Sequence, residues 1–295
     1  MIILFEITKE DTSQIQKIVG DITIPTGINT FALWKLCQLG SIFRGESISV
    51  RRNCYTNDVP VLSYLHGYVG RGWVDDLTNP SCTRIIVDEF CYFFGNHNSA
   101  AAENLVKDVP KDKRWLTMIP QNDGWGSIIE SAFLENARKF PRYRINFDKN
   151  KIDREKLQSY IDNLSPEYSL VQIDENVYQR TLGDEVAIEW YSLYQSAKDY
   201  VQRGLGYCIF KGDELVSGAS SCISCNGGIE IQIDTKESFQ RKGLATVCAA
   251  KLVLECLDRN IYPRWDADCK ESLMLAEKLG YEFDCEYDVY SVKNF

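Results

Sequence analysis

The sequence predicts an α/β fold of the α+β kind, a mixed sheet flanked by helices. Three observations carry that prediction. Residues 165–295 read in the order strand, helix, three strands, helix, strand, helix, strand. Within them Ile229-Glu230-Ile231-Gln232-Ile233 alternates strictly, so the isoleucines share one face of a strand while Glu230, Gln232 and Asp234 share the other. The helix that follows, from Gly243 or Leu244 to about Leu257, is apolar almost all round, with Lys251, Glu255 and Asp258 as its polar stripe. That is the pattern of a helix buried on most of its surface.

Taken in order, residues 1–140 show mixed patterns. A short helix is expected over residues 11–19, with Ile15, Ile18 and Val19 on one face, and a second over 27–39. Residues 84–94 predict one strand, because Ile85, Ile86, Val87, Phe90 and Tyr92 are β-branched or aromatic and Gly95-Asn96 ends the run. Ser127 and Glu130 have capping-box spacing, so a helix is expected to open there, run through Phe133, Leu134 and Ala137, and stop before Pro141. The glycines of Gly67-Tyr68-Val69-Gly70-Arg71-Gly72 lack the strand-before, helix-after setting of a phosphate loop, and the segment reads as an ordinary loop.

Pro141, the charge-rich residues 148–156 and Ser165-Pro166 punctuate the middle of the chain, with a helix expected over 154–164. We divide the chain there into residues 1–145, a divergent α/β domain of unknown role, and residues 146–295. In the second part, strands are expected over 169–173, 206–210, 215–224, 229–233 and 262–267. Helices are expected over 185–203 and 271–279, and the tail from Tyr281 reads as strand.

The chain has 295 residues, 44% hydrophobic and 25% charged, with a net charge of −9. Such an acidic balance disfavours nonspecific binding to nucleic acid or anionic membranes. No stretch has the ~18 apolar residues of a membrane span, and the opening Met1–Glu6 run is too short for a signal peptide. Eleven cysteines without a regular framework suit a cytoplasmic protein with reduced thiols. Cys222-Ile223-Ser224-Cys225 is a lone pair with no matching second pair, so no metal site is expected.

The chemistry concentrates at residues 234–246. A glycine-bearing turn between a strand and a helix aims unpartnered N–H groups, at the positive end of the helix dipole, towards one point, where an anion binds. Gln240-Arg241-Lys242-Gly243-Leu244-Ala245 resembles the Gln/Arg-x-x-Gly-x-Gly/Ala motif of the GNAT superfamily of N-acetyltransferases. About 30 residues on, Ser272-Leu273-Met274-Leu275-Ala276-Glu277-Lys278-Leu279-Gly280-Tyr281 resembles that superfamily's Ser-x-x-Leu-Tyr-Glu-Lys-Leu-Gly-Phe helix. The layout, with Trp265-Asp266-Ala267, is similar to a two-domain branch of Gram-positive bacteria that includes a type acetylating an aminopolyol antibiotic.

The resemblance implies a GNAT fold with a centrally splayed sheet, and acetyl-CoA as cosubstrate in the gap between the strands at 229–233 and 262–267. It implies that Ile233 and Thr235 hold the pantetheine arm. Gln240, Arg241, Lys242, Gly243, Leu244, Ala245 and Thr246 would hold the pyrophosphate, with Ser272 as a further donor-site residue. It implies direct attack by a small-molecule primary amine, with Glu230 as the base and a homodimer possible. The bland reading of Glu230 is a solvated strand face. Ala276 stands where the superfamily often has a general-acid tyrosine, which leaves open a non-catalytic acyl-CoA-binding sensor or docking module. A thiol near the free cysteine pKa of ~8.5 leaves with little help. Tyr281 is a substitute acid or a core residue, and Cys269 replaces a common asparagine. Asp266, Asp268, Glu271, Glu282, Asp284, Glu286 and Asp288 crowd one region and suit a cationic acceptor.

Overall fold

A computed structural model describes residues 4–7, 12–19 and 58–293. The helix expected over 27–39 lies outside the described residues, and the one over 11–19 is present as α1 (Ser13–Val19). The strands among the described residues form two sheets. The first contains β1 (Phe5–Ile7), β2 (Arg71–Val74), β3 (Cys82–Val87), β4 (Phe90–Gly95), β5 (Trp115–Pro120), β6 (Ala137–Asn146), β12 (Asp266–Ala267) and β13 (Glu282–Lys293). The second contains β7 (Ser169–Gln172), β8 (Gly206–Lys211), β9 (Glu214–Cys225), β10 (Gly228–Thr235) and β11 (Tyr262–Arg264).

The two halves of the chain repeat one order of elements. In the first half β3 pairs antiparallel with β4, β4 pairs parallel with β5, α3 (Ala102–Lys107) fills the crossover, and α4 (Asp123–Phe133) precedes β6. In the second half β9, β10 and β11 pair likewise, α9 (Leu244–Arg259) fills the crossover, and α10 (Lys270–Lys278) precedes β13. The final strands are exchanged between the halves. β13 lies between β5 and β6 in the first sheet, while β6 also pairs with β12 from the second half.

Apolar patterning explains the layers. α9 buries Leu244, Val247, Leu252 and Val253 against the second sheet, together with α5 (Arg154–Asp162). The other face of that sheet is covered by α6 (Glu175–Thr181), α7 (Ile188–Tyr191) and α8 (Ala197–Arg203), whose Tyr178, Trp190, Tyr191 and Tyr200 form an aromatic core. In the first sheet, α3 and α4 bury Leu105, Trp125 and Ile129 on one face, and α2 (Val59–Leu65) covers the other.

Several expectations need correction. Residues 84–94 are two strands: Asp88, at φ 51°, turns the chain back between Val87 and Phe90. Ser127 does not open a helix. α4 starts four residues earlier, where Asn122 accepts from the Gly124 and Trp125 N–H groups, and the Ser127 hydroxyl bonds to the Asp123 carbonyl. Pro141 does not follow a helix but lies within β6, opposite Asp288. The helix expected over 185–203 is two short helices, the second opened by Ser196, which accepts from Asp199 N–H. The strand at 262–267 breaks at Trp265, and its two pieces join different sheets. Of the segment 67–72 expected as a loop, residues 67–70 are loop, but Arg71 and Gly72 open β2.

Candidate active site

β10 and β11 run side by side for only three residue pairs, Gly228 with Tyr262, Ile229 with Pro263 and Glu230 with Arg264. β10 then continues along β9 as far as Thr235. On the other side the chain leaves at Trp265 for the first sheet. The parallel strands therefore part at Glu230. Beyond that vertex one edge of β10 carries N–H and C=O groups with no neighbouring strand among the described residues, a template for an extended chain.

Glu230 is 6% exposed, so it is not on a solvated face. The register shift between Glu230 and Ile231 leaves Cys222 of β9 as the extra residue opposite this point of β10. Arg264 Nη1 donates to Glu230 Oε2 at 2.6 Å, and Arg264 Nη2 donates to Asp58 Oδ2 at 3.0 Å and to Asp266 Oδ2 at 3.2 Å. Arg142 Nε donates to Asp266 Oδ1 at 2.6 Å, and the Tyr287 hydroxyl donates to Asp266 Oδ2 at 2.8 Å. Burial pushes the Glu230 carboxyl up to about 8, against the opposing pull of Arg264. Burial acts on Asp266 too, but Arg142 and Arg264 together hold it below the usual carboxylate range. Two buried carboxyls are thus driven in opposite directions by their surroundings.

Glu230 and Asp266 line a cavity of about 390 Å³, within the ~300–1,000 Å³ of small-ligand sites. Both halves build it. The first half contributes Glu89 and Phe90 at the β3–β4 turn and Arg142 on β6; the second contributes Cys222, Gln232 and Glu189. The acidic residues of the tail divide. Asp266 faces this cavity, while Asp284, Glu286 and Asp288 line another, of about 660 Å³, against α4.

At the far end of β10 the chain enters the turn before α9. Gly243 caps the helix at φ 82° with no side-chain hydrogen bond, and Arg241 takes φ 62°. The helical ladder begins with Val247 N–H donating to the Gly243 carbonyl at 3.2 Å, which leaves the amides of Leu244, Ala245 and Thr246 without intrahelical acceptors. No acidic residue lies in that first turn. Arg241 and Lys242 are exposed, and Lys242 Nζ sits 4.6 Å over the Phe239 ring. Lys278 Nζ on α10 donates to Thr246 Oγ1 at 3.3 Å.

Profile comparison matches residues 53–290 to the family described as GNAT acetyltransferase. The chain belongs to that family. Among GNAT proteins, it is 24% identical over 229 residues to YdfB of Bacillus subtilis (strain 168), described as an uncharacterized N-acetyltransferase. That match spans 75% of this chain and 85% of the relative. A crystal structure of a GCN5-related N-acetyltransferase-like protein from Streptococcus suis superposes with a TM-score of 0.71. It has 32% identity, over 88% of this chain and 99% of that one. A tandem GNAT protein from the clavulanic acid biosynthesis pathway shares the fold over 99% of this chain and 98% of its own, with a TM-score of 0.54 at 12% identity.

Within this GNAT chain the remaining expected site residues are spread along one strand–turn–helix path. Ile233 is half-buried against the core under α9. The Thr235 and Ser217 hydroxyls lie 2.7 Å apart, and Gln240 Nε2 donates to the Thr235 carbonyl at 3.4 Å. Ser272 lies apart from these: its Oγ accepts from Trp265 Nε1 at 3.1 Å, which holds the residue where the chain changes sheets. Tyr281 is a core residue whose hydroxyl donates to the Pro263 carbonyl at 2.9 Å, and Ala276 is fully buried. Cys222 and Cys225 stand at the end of β9, with Cys222 Sγ against the Glu230 carbonyl at 3.6 Å. Sequence reasoning missed Arg264, Asp58 and Arg142. The visible signal was an arginine facing Glu230 in the parallel partner strand, but that pairing shows only in three dimensions.

Proposed function

We propose that the chain transfers the acetyl group of acetyl-CoA to a primary amine of a small molecule, by direct attack while donor and amine are both bound. The observation that carries this reading is the parting of β10 and β11 at Glu230, with a cavity at the vertex. Two features fit the donor. A side chain built at Gly243 would meet no atom within 4 Å, so an anion can approach the uncapped amides of α9. The free edge of β10 suits an amide-bearing arm.

In this reading Ile233 and Thr235 hold the arm through their backbone. The amides between Arg241 and Thr246 hold the diphosphate, Gln240 steadies the turn, and Arg241 and Lys242 offset the charge. Ser272 acts indirectly, by fixing Trp265. Acetyl-CoA supplies an activated acetyl thioester when bound. An alkylamine, with a pKa of ~10, is protonated at neutral pH, so a base must take its proton. Glu230 is the carboxyl at the vertex, and it accepts that proton directly or through water. Its raised pKa makes it a stronger base than an ordinary carboxylate.

The test is thiol release from acetyl-CoA across a panel of small primary amines. Turnover supports the reading. Tight acetyl-CoA binding with no turnover on any amine would favour a non-catalytic acyl-CoA sensor or docking module, the alternative that the buried, hydroxyl-free Ala276 keeps in view.

A further inference from the structure

The amine cavity is lined by more carboxyls than cations. On the vertex side the charges are compensated: Glu230 and Asp266 are bonded to Arg264 and Arg142. Glu89, in the β3–β4 turn of the first half, lines the same cavity with Lys113 and Arg114. Asp88 beside it is committed to Lys113, with Nζ 2.8 Å from Oδ1. Glu89 makes no ion pair among the described residues. Burial pushes its carboxyl up to about 7, and Asp88 adds to this through its charge and a side-chain hydrogen bond, with Glu189 adding less. Glu189, on α7, lines the same cavity, and burial with Asp234 and Asp88 raises it too. The turn is held firmly, because Thr117 N–H donates to the Glu89 carbonyl at 2.7 Å. The Cys222 thiol is pushed up by burial and then by Glu230 and Glu89 together, so the two carboxyls act on one small space.

Carboxyls that outnumber the cations around them in a cavity favour a cationic occupant. The cavity is a site on separate grounds, since it opens where β10 and β11 part. Its charge pattern bears on which amine enters it.

We infer that the acceptor is a diamine, or an amine with a second cationic group, and that Glu89 is the specificity-determining residue that holds the second ammonium while the first is acetylated at Glu230. This rests on the acetyl-transfer reading above. It gives the first half of the chain a role at the site: one amine nitrogen is presented to Glu230 and stays free to lose its proton, and the other remains an ammonium against Glu89 and Glu189.

The experiment compares 1,4-diaminobutane with n-butylamine in the full-length wild type and in Glu89→Gln, with Glu189→Gln as a second variant. Initial rates and titration calorimetry are read separately. The wild type is expected to bind the diamine at least tenfold more tightly, with the difference in KM and little change in kcat. Glu89→Gln is expected to lose most of that preference and leave butylamine unchanged. Equal binding of the two amines by the wild type, or an equal loss for both in Glu89→Gln, would overturn the inference while butylamine turnover left the acetyl-transfer reading intact. Diamine-selective binding that depends on Glu89, without acetyl transfer, would support Glu89's role and defeat the transfer reading.

Discussion

Glu230 and Arg264 occupy paired positions on parallel strands, and the chemistry of each depends on the other. Arg264 serves Glu230, Asp58 and Asp266 at once. Arg264→Gln would leave Glu230 and Asp58 without their cation and Asp266 with Arg142 alone, and urea denaturation should show a loss of about 3–5 kcal/mol; a loss below about 1 kcal/mol would mean that the network is solvated. Glu230 holds its proton more tightly folded than unfolded, so its contribution to stability is present at acid pH and is lost as pH rises from the usual carboxylate range through about 8. Glu230→Gln should flatten that decline. Gly243 at φ 82° has open space around it, so Gly243→Ala meets no steric clash and suffers only backbone strain of roughly 1–2 kcal/mol. The acetyl-CoA KM should rise in that variant with kcat little changed; an unchanged KM would dissociate the turn from donor binding. At this scale the turn at Gly243 was legible, because a glycine between strand and helix has few alternatives. The partners of Glu230 were not, since Asp58, Arg142 and Arg264 come from three distant segments.

Elements whose patterns stood alone were read well. α9 was legible because its apolar surface fits only a buried helix, and it ends at Asn260, whose φ of 53° provides the left-handed cap. The β3–β4 hairpin was not, because Asp88 supplies its turn without a glycine. α4 was misplaced because its cap is Asn122, ahead of the Ser127–Glu130 spacing that resembles one. One helix end depends on a long-range contact: Arg84, 1% exposed, donates from Nη1 to the Leu105 and Asp108 carbonyls at the C-terminus of α3, at 2.7 and 2.8 Å. Its guanidinium also lies 4.1 Å over the Trp73 ring. Arg84→Met should cost about 2–4 kcal/mol, since charged hydrogen bonds to buried carbonyls are worth ~1.5–3 kcal/mol each and a thioether satisfies neither. Chemical denaturation with a shift under 0.5 kcal/mol would show that α3 does not need this cap.

Across the whole molecule the exchange of β6 and β13 ties the halves together. No local pattern in the sequence shows it, because a strand's own residues do not name the sheet it joins. β13 pairs with β5 and β6 through most of its length, and one apolar cluster draws Val61 and Ile85 from the first half together with Ile223, Tyr262 and Val289 from the second. Thermal unfolding should therefore follow one transition, coincident by far-ultraviolet circular dichroism and tryptophan fluorescence; two separated transitions would mean that the halves fold independently. The same closure puts Glu230 at the vertex, and the account depends on that carboxyl as the base. The most direct measurement is the pH profile of kcat/KM for acetyl transfer to one accepted amine, in wild type and Glu230→Gln. The account predicts that the wild-type rate rises with pH through about 8 as Glu230 loses its proton, and that Glu230→Gln is slower by ~10²–10⁴-fold with that step gone. A variant with the wild-type rate and the same profile between pH 6 and 9 would contradict it.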